Sequence, residues 1–337
     1  MGLALVFLVP LAAFVVWWLW ERSHRKTHAV SPGLQVDINL PHAAEFELYH
    51  NALSLCSKKT RFCLAELGID YVGHHVHLIE TGGYENIGRA FLAVNPAGVV
   101  PVLVHDGHPI YESHEQIRYA ADHAPEGAPS LVPSDPAAED EMQEWVDRSS
   151  LVGDDPIAGA KRSAGNAVPG LTVPLFSSMM EEIPVHWIFE GLLFHRLKIR
   201  PVLFLALKSR GLRGLPKLPP AVKAIQACGR AMNTHLDDLE AHLEKSGGPW
   251  ILGEAFTLAD VSWVVVVERL READSLHVFL GEGRRPAVTA WWERIRARPS
   301  YHDAIKAHGE PRVVSGTERL IAAKAADPAL RAALEEF

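Results

Sequence analysis

The stretch between Phe46 and His123 constrains the fold most, because its apolar period changes in a definite order. Phe46–His50 alternates, with Phe46 and Leu48 on one face and Glu47 on the other. Ser54–Leu67 carries apolar positions at helical spacing and stops at Gly68. Tyr71–Leu78 predicts a second strand. Val100–His105 and Pro109–Tyr111 predict a hairpin around Asp106-Gly107, and Glu112–His123 predicts a closing helix. The order β-α-β-(α)-β-β-α predicts a compact α/β layer.

The flanks differ from this unit. From Leu3 to Trp20 there is no charged residue, and Pro10 is the sole interruption. Eighteen helical residues rise about 27 Å, close to the roughly 30 Å hydrocarbon core. Trp17, Trp18 and Trp20 crowd the far end, followed by Glu21, Arg22, Arg25 and Lys26. The Met-Gly-Leu start and the bulky far end do not suit a cleaved leader. The segment therefore predicts a single N-terminal transmembrane helix over residues 1–26, including its basic flank. The positive-inside rule then places the body on the cytoplasmic side.

Residues 27–45, polar and carrying Pro32 and Pro41, predict a linker before the α/β domain at 46–124. Beyond the Pro-rich stretch 125–136 the pattern is helical only, over Ala138–Leu151, Trp187–Leu207, Pro220–Lys245, Leu258–Ala273 and Val288–Ala297. These define an all-helical domain at 137–310, with 311–337 as a C-terminal tail. Residues 152–186 are poorly patterned and predict a long loop or an irregular helix pair. Phe256-Thr257-Leu258-Ala259-Asp260-Val261 predicts a capping box with a hydrophobic staple, a structural motif.

Composition narrows the function classes. Of 337 residues, 48% are hydrophobic and 22% charged, which is ordinary for a folded chain. A net charge of −8 argues against general nucleic-acid binding. The three cysteines Cys56, Cys63 and Cys228 are too few for a disulfide framework and suit a reducing compartment. His75 and His77 share a strand face without completing a ligand set, so no metal is predicted. Between Gly191 and Leu236 there is no Asp or Glu but nine cations from Arg196 to Arg230, a local basic patch. Solvated helix faces explain it, as does contact with anionic lipid or substrate.

Three features carry chemistry. Cys56 falls at the start of the first helix of the α/β unit, where unpaired amides and the positive dipole end favour thiolate. Lys58, Lys59 and Arg61 add positive potential, and the hydroxyls of Ser54 and Ser57 lie close in sequence. Cys63 and Cys228 read as buried core thiols. In Asn95-Pro96-Ala97-Gly98-Val99-Val100-Pro101-Val102-Leu103, Pro101 is a candidate cis proline that leaves the Val100 backbone open to an extended peptide. Glu112-Ser113 opens the last helix, where Ser113 and the helix amides can hold a carboxylate and Glu112 an ammonium. A thiol, a backbone edge and a zwitterion clamp are what binding γ-glutamyl-cysteinyl-glycine requires.

These residues resemble the glutathione S-transferase superfamily over about residues 46–305. The resemblance rests on Val-Val-Pro followed by Glu-Ser, on Trp250-Ile251-Leu252-Gly253 leading into Phe-Thr-Leu-Ala-Asp, and on Trp291 with Arg298-Pro299-Ser300. It implies a thioredoxin-like N-terminal domain and an all-α C-terminal domain, the glutathione transferase fold. It also implies glutathione as cosubstrate, a detoxifying activity and the dimerisation usual in the family. Leu48–Arg61 looks most like the bacterial tetrachlorohydroquinone reductive dehalogenase group, which keeps a catalytic cysteine at the position of Cys56. The anchor and the long 152–218 region depart from the family plan.

The resemblance implies a glutathione-dependent transferase acting on a small hydrophobic electrophile. Cys56 serves thiol transfer, reductive dehalogenation or conjugation, with Ser54 and Ser57 as alternative activators of the glutathione sulfur. Val100, Pro101, Glu112 and Ser113 hold glutathione, and Trp145 and Arg148 are candidates for the acceptor pocket between the domains. The alternative class is a non-catalytic, membrane-tethered glutathione- or protein-binding module on a transferase-like fold.

Overall fold

The computed structural model describes residues 2–337 other than Asp154, with side chains from Phe7 onward. Five strands form one sheet: β1 (Gly33–Leu34), β2 (Phe46–His50), β3 (Val72–His75), β4 (Val102–His105) and β5 (His108–Tyr111). Their order is β1-β5-β4-β2-β3. β2 runs parallel to β3 and antiparallel to β4. The parallel pair needs a crossover, and α2 (Leu55–Leu67) supplies it. β4 and β5 are joined through Asp106 (φ 48°) and Gly107 (φ 83°), both in the left-handed region that a tight hairpin turn demands.

Side-chain alternation on β2 sorts its residues to two cores. Phe46 and Leu48 join the large core under the helices, while Tyr49 packs with Val102, Val104 and Tyr111 on the opposite face. Glu47 is buried on that second face, accepting from the Ala43 amide at 2.5 Å and from His74 Nε2 at 2.8 Å. Residues 27–45 also contribute to the sheet. Gly33 and Leu34 pair with Tyr111 and Ile110, so this segment holds the edge strand β1. Two residues are too short to leave a period in the sequence. After the brief α3 (Arg89–Leu92), α4 (Ser113–Asp122) closes the domain.

Among the described residues the second domain is built of helices, apart from two isolated bridges, Trp250 with Gly253 and Leu252 with Ala255. Its first helices are α5 (Pro136–Ser149), α6 (Pro156–Gly159), α7 (Ala164–Met179), α8 (Val185–Phe194) and α9 (Ile199–Arg210). There follow α10 (Pro219–Ser246), α11 (Leu258–Glu272), α12 (Leu276–Leu280), α13 (Pro286–Arg296) and α14 (Pro299–Tyr301). The chain ends in α15 (Pro311–Ala326) and α16 (Pro328–Glu335). The capping box forms: Thr257 caps α11, and Asp260 accepts from the Thr257 amide at 3.0 Å.

α7 occupies the poorly patterned stretch. Nearly every residue of it is buried, so no polar face marks a period, and Pro169 and Pro174 each remove a backbone donor from its interior. Its first half packs in the large core through Ala164, Val168 and Leu171. Its second half enters another core with Val173, Leu175 and Met179. Gly170 permits the close approach to α10, because a Cβ there would overlap the Cys228 sulfur. The apolar run Trp187–Leu207 breaks into α8 and α9 after Phe194. α15 and α16 pack into the second core through Val313, Leu320, Leu330 and Leu334, so residues 311–337 form a layer of the body.

Most cations of the 196–230 stretch are exposed, and two half-buried ones are tied to the body. Arg200 pairs with buried Glu80 at 2.6 Å, and Lys208 Nζ donates to the Met180 carbonyl at 2.9 Å.

The expected transmembrane anchor is overturned. Among the described residues no helix is long and apolar enough to cross a membrane. Residues 1–26 do contain a helix, α1 (Gly2–His24), but the side chains of residues 1–6, where the apolar run was taken to begin, lie outside those described. The far end of α1 is also committed to protein. Trp17 meets Phe194 edge-on at 6.0 Å, Trp18 packs against the second core, and the Arg89 guanidinium sits 4.0 Å from the Trp20 ring. Arg25, read as part of an orienting flank, donates to Glu190 at 2.7 Å and to the Ile87 carbonyl at 2.9 Å. Without a span, the inferred cytoplasmic-side placement loses its basis.

Candidate active site

The loop entering α2 is held before any chemistry is considered. Asn51, wholly buried, accepts from the Leu53 amide at 2.9 Å and donates to the Val76 carbonyl (2.9 Å) and Thr81 Oγ1 (2.8 Å). Ser54 is the N-cap, its Oγ accepting from the Ser57 amide at 3.2 Å. Cys56 therefore lies in the first turn, partly exposed, where helix amides lack intrahelical partners. Ser57 is fully buried and its Oγ accepts from the Asn51 amide at 3.2 Å, so its hydroxyl braces the loop. Cys63 and Cys228 are completely buried, and burial pushes both thiols up, Cys228 to about 11.

The Val100–Pro101 peptide bond is cis, and β4 begins only at Val102. Among the described residues no hydrogen bond involves the Val100 backbone, which leaves that edge open. Glu112 is exposed with φ 68° and ψ 124°, a conformation costly for a side chain of its kind. Ser113 is buried at the start of α4. Gln116, one turn further on, joins the three features. Its Nε2 donates to the Pro101 and Ile110 carbonyls, both at 2.9 Å, and its Oε1 accepts from Thr60 Oγ1 of α2 at 2.8 Å.

The three cations near Cys56 separate in space. Lys58 is buried in an ion pair with Glu272 of α11. Arg61, also buried, donates to the Ala304 carbonyl (2.9 Å), the Asn51 carbonyl (3.2 Å) and His50 Nδ1 (3.1 Å). Lys59 alone faces the site. It is 2% exposed, and its Nζ reaches Ser150 Oγ at the end of α5 at 3.3 Å. Burial pulls its pKa down, while the Cys56 thiol and the Glu112 and Asp147 carboxylates pull it back up. His114 sits beside it, its pKa lowered by burial and by Lys59.

The acceptor-pocket candidates take up other surroundings. Trp145 is buried against Trp263 (centroids 5.8 Å) and His242 (4.5 Å). Arg148 pairs with Glu144 at 2.7 Å and Asp238 at 3.6 Å. Both sets of contacts lie within the helical domain, and Ser150 is the α5 neighbour that reaches Lys59. Sequence reasoning missed Ser150, Gln116 and Thr60; the one available signal was the spacing of Gln116, four residues after Glu112. Among the described residues no group of His, Cys, Asp and Glu is arranged to hold a metal.

The chain matches the family "Glutathione S-transferase, N-terminal domain" over residues 53–123 and "Glutathione S-transferase, C-terminal domain" over residues 223–294. It is 23% identical over 282 residues to tetrachloro-p-hydroquinone reductive dehalogenase of Sphingobium chlorophenolicum, covering 77% of this chain and 95% of that protein. It is 27% identical to glutathione S-transferase TCHQD of Arabidopsis thaliana, covering 77% and 89%. Among solved structures it resembles the β-etherase LigF of Sphingobium sp. strain SYK-6, with TM-score 0.62 and 20% identity over 78% of this chain and all of that one. The chain thus carries both the N-terminal and the C-terminal family domain of the glutathione S-transferases. The expected two-domain fold, thioredoxin-like and then helical, is the one found.

Proposed function

We propose that this chain is a glutathione-dependent transferase in which Cys56 is the nucleophile. The observation that carries the reading is a partly exposed thiol in the first turn of α2, with a buried lysine one turn behind it on the same face. Glutathione lies along the open Val100–Pro101 edge, its γ-glutamyl ammonium on Glu112 and its carboxylate on Ser113 and the amides opening α4. The acceptor is a small hydrophobic electrophile, in keeping with relatives named for reductive dehalogenation and dechlorination.

Thiol transfer proceeds in two displacements. The Cys56 thiolate attacks the glutathione sulfur of an acceptor–glutathione adduct. The sulfur–carbon bond breaks, its electron pair leaves with the acceptor carbon, which takes a proton, and a Cys56–glutathione disulfide forms. A second glutathione thiolate then attacks that disulfide, giving oxidised glutathione and returning Cys56 as thiolate. Ser54 is occupied as the helix cap, which favours Cys56 over it as activator.

The deciding experiment compares wild type with Cys56→Ser on a glutathionyl-aromatic adduct and on a conjugation substrate. Loss of adduct cleavage, with a Cys56–glutathione disulfide trapped only in wild type, supports the reading. Undiminished cleavage by Cys56→Ser removes Cys56 from the mechanism.

A further inference from the structure

We infer that the Lys59 ammonium is the built-in counter-charge of the Cys56 thiolate, and so the residue that sets the reactivity of this site. The inference rests on the reading of Cys56 as the nucleophile and names what activates it.

The two residues are three apart on α2, so they stack on one helix face about one turn from each other. Cys56 keeps an opening to solvent while Lys59 lies beneath it at 2% exposure, an uncommon degree of burial for lysine. A buried ammonium needs a compensating anion. Its one hydrogen-bond partner among the described residues is the neutral Ser150 hydroxyl at 3.3 Å. The neighbouring cations cannot substitute, since Lys58 is neutralised by Glu272 and Arg61 is turned to the Ala304 and Asn51 carbonyls.

The titratable groups acting on Lys59 come from each element packed around it. They are Cys56 and Cys63 on α2, Glu112 at the start of α4, and Asp147 on α5. His114 of α4 feels the lysine in turn. Glu112 is exposed, and Cys63 is fully buried with its thiol pushed up and therefore neutral. Cys56 leads the groups that favour the charged lysine. When the thiol ionises its proton passes to solvent or to the Lys59 amine, and in either case the thiolate sits beside an ammonium. As a group acting through Cys56, Lys59 is a positioning and charge-setting residue.

The test reads Cys56 ionisation directly, as the rate of iodoacetamide alkylation against pH on the full chain, with the site located by peptide mass. Cys63 and Cys228 are fully buried, so Cys56 is the accessible thiol. Lys59→Met should raise the midpoint by about one unit and slow alkylation at neutral pH about tenfold, and Lys59→Arg should restore the wild-type profile. Circular dichroism and melting confirm that the variants are folded; Lys59→Gln replaces Lys59→Met if the latter is not. An unmoved midpoint in the uncharged variant overturns the inference. Alkylation requires no turnover, so these outcomes stand apart from the Cys56→Ser cleavage test.

Discussion

The Nε2 of Gln116 lies 2.9 Å from the carbonyl oxygen of Pro101, at the residue where the open peptide edge gives way to β4. The same amide group reaches Ile110 on β5 and Thr60 on α2, so one side chain ties the edge to the helix bearing Cys56. Gln116→Leu keeps the volume and takes the side-chain donor from two carbonyls, while the Thr60 hydroxyl keeps only its 3.3 Å bond to the Cys56 carbonyl. The expected loss is about 3 kcal/mol in urea unfolding, together with a raised KM for glutathione. Unchanged values of both would show that the link does not register the site.

Glu112 predicts a trade between stability and binding. With φ at 68°, its backbone suits glycine. Glu112→Gly should raise the unfolding free energy by about 1 kcal/mol. It should also weaken glutathione binding by removing the proposed ammonium acceptor. Calorimetric titration with glutathione and a melting curve on one preparation would show both changes; a fall in Tm contradicts the strain argument.

His50 predicts acid sensitivity. It is buried, its Nδ1 accepts from Arg61, and burial with that guanidinium lowers its pKa to about 3. An unfolded histidine takes up its proton near 6.5. The folded form binds fewer protons than the unfolded form between these values, so this contribution is complete above pH 6.5 and is lost as pH falls towards 3. The slope from this group approaches about 1.4 kcal/mol per pH unit. Unfolding curves at pH 7, 6 and 5 should show the decline, and His50→Gln, which keeps an acceptor without titrating, should flatten it.

Asp260 predicts a large structural effect far from the thiol. Buried, it accepts from the Ile251 amide (3.0 Å), the Thr257 amide (3.0 Å) and Trp291 Nε1 (2.7 Å). Asp260→Ala leaves three donors unsatisfied and should cost about 4 kcal/mol. The alkylation profile of Cys56 should be unchanged wherever the variant remains folded. A stability loss below about 1 kcal/mol would mean that the three donors find water instead.

The thioredoxin-like domain was legible because its strands and helices alternate, and alternation writes a period into the sequence. The capping box was legible because Thr257 and Asp260 act within one turn of chain. α7 was not, since a helix buried on all sides has no polar stripe and its two prolines read as breaks. The two-residue β1 left no pattern at all. Within the site, Cys56, Pro101, Glu112 and Ser113 were read from local motifs. Lys59 stood among the basic residues near Cys56, but its separation from Lys58 and Arg61 depends on Glu272 and Ala304, more than two hundred residues away. The apolar N-terminal run misled because composition does not say what a helix packs against.

The contacts that divert Lys58 and Arg61 also cross the boundary between the domains. Lys58 meets Glu272, the Arg269 guanidinium caps the Leu53 carbonyl, and Arg61 reaches Ala304. Arg298 grips Glu66 with two nitrogens, one at 2.6 Å, while stacking on Phe256. All of these bonds have one end in the loop entering α2 or on α2 itself. The helix that presents the thiol is thus clamped from behind, and a hinge opening of the two domains would have to break every one of them. A ligand bound against α2 would meet a helix already fixed in place, with little free energy spent on moving it.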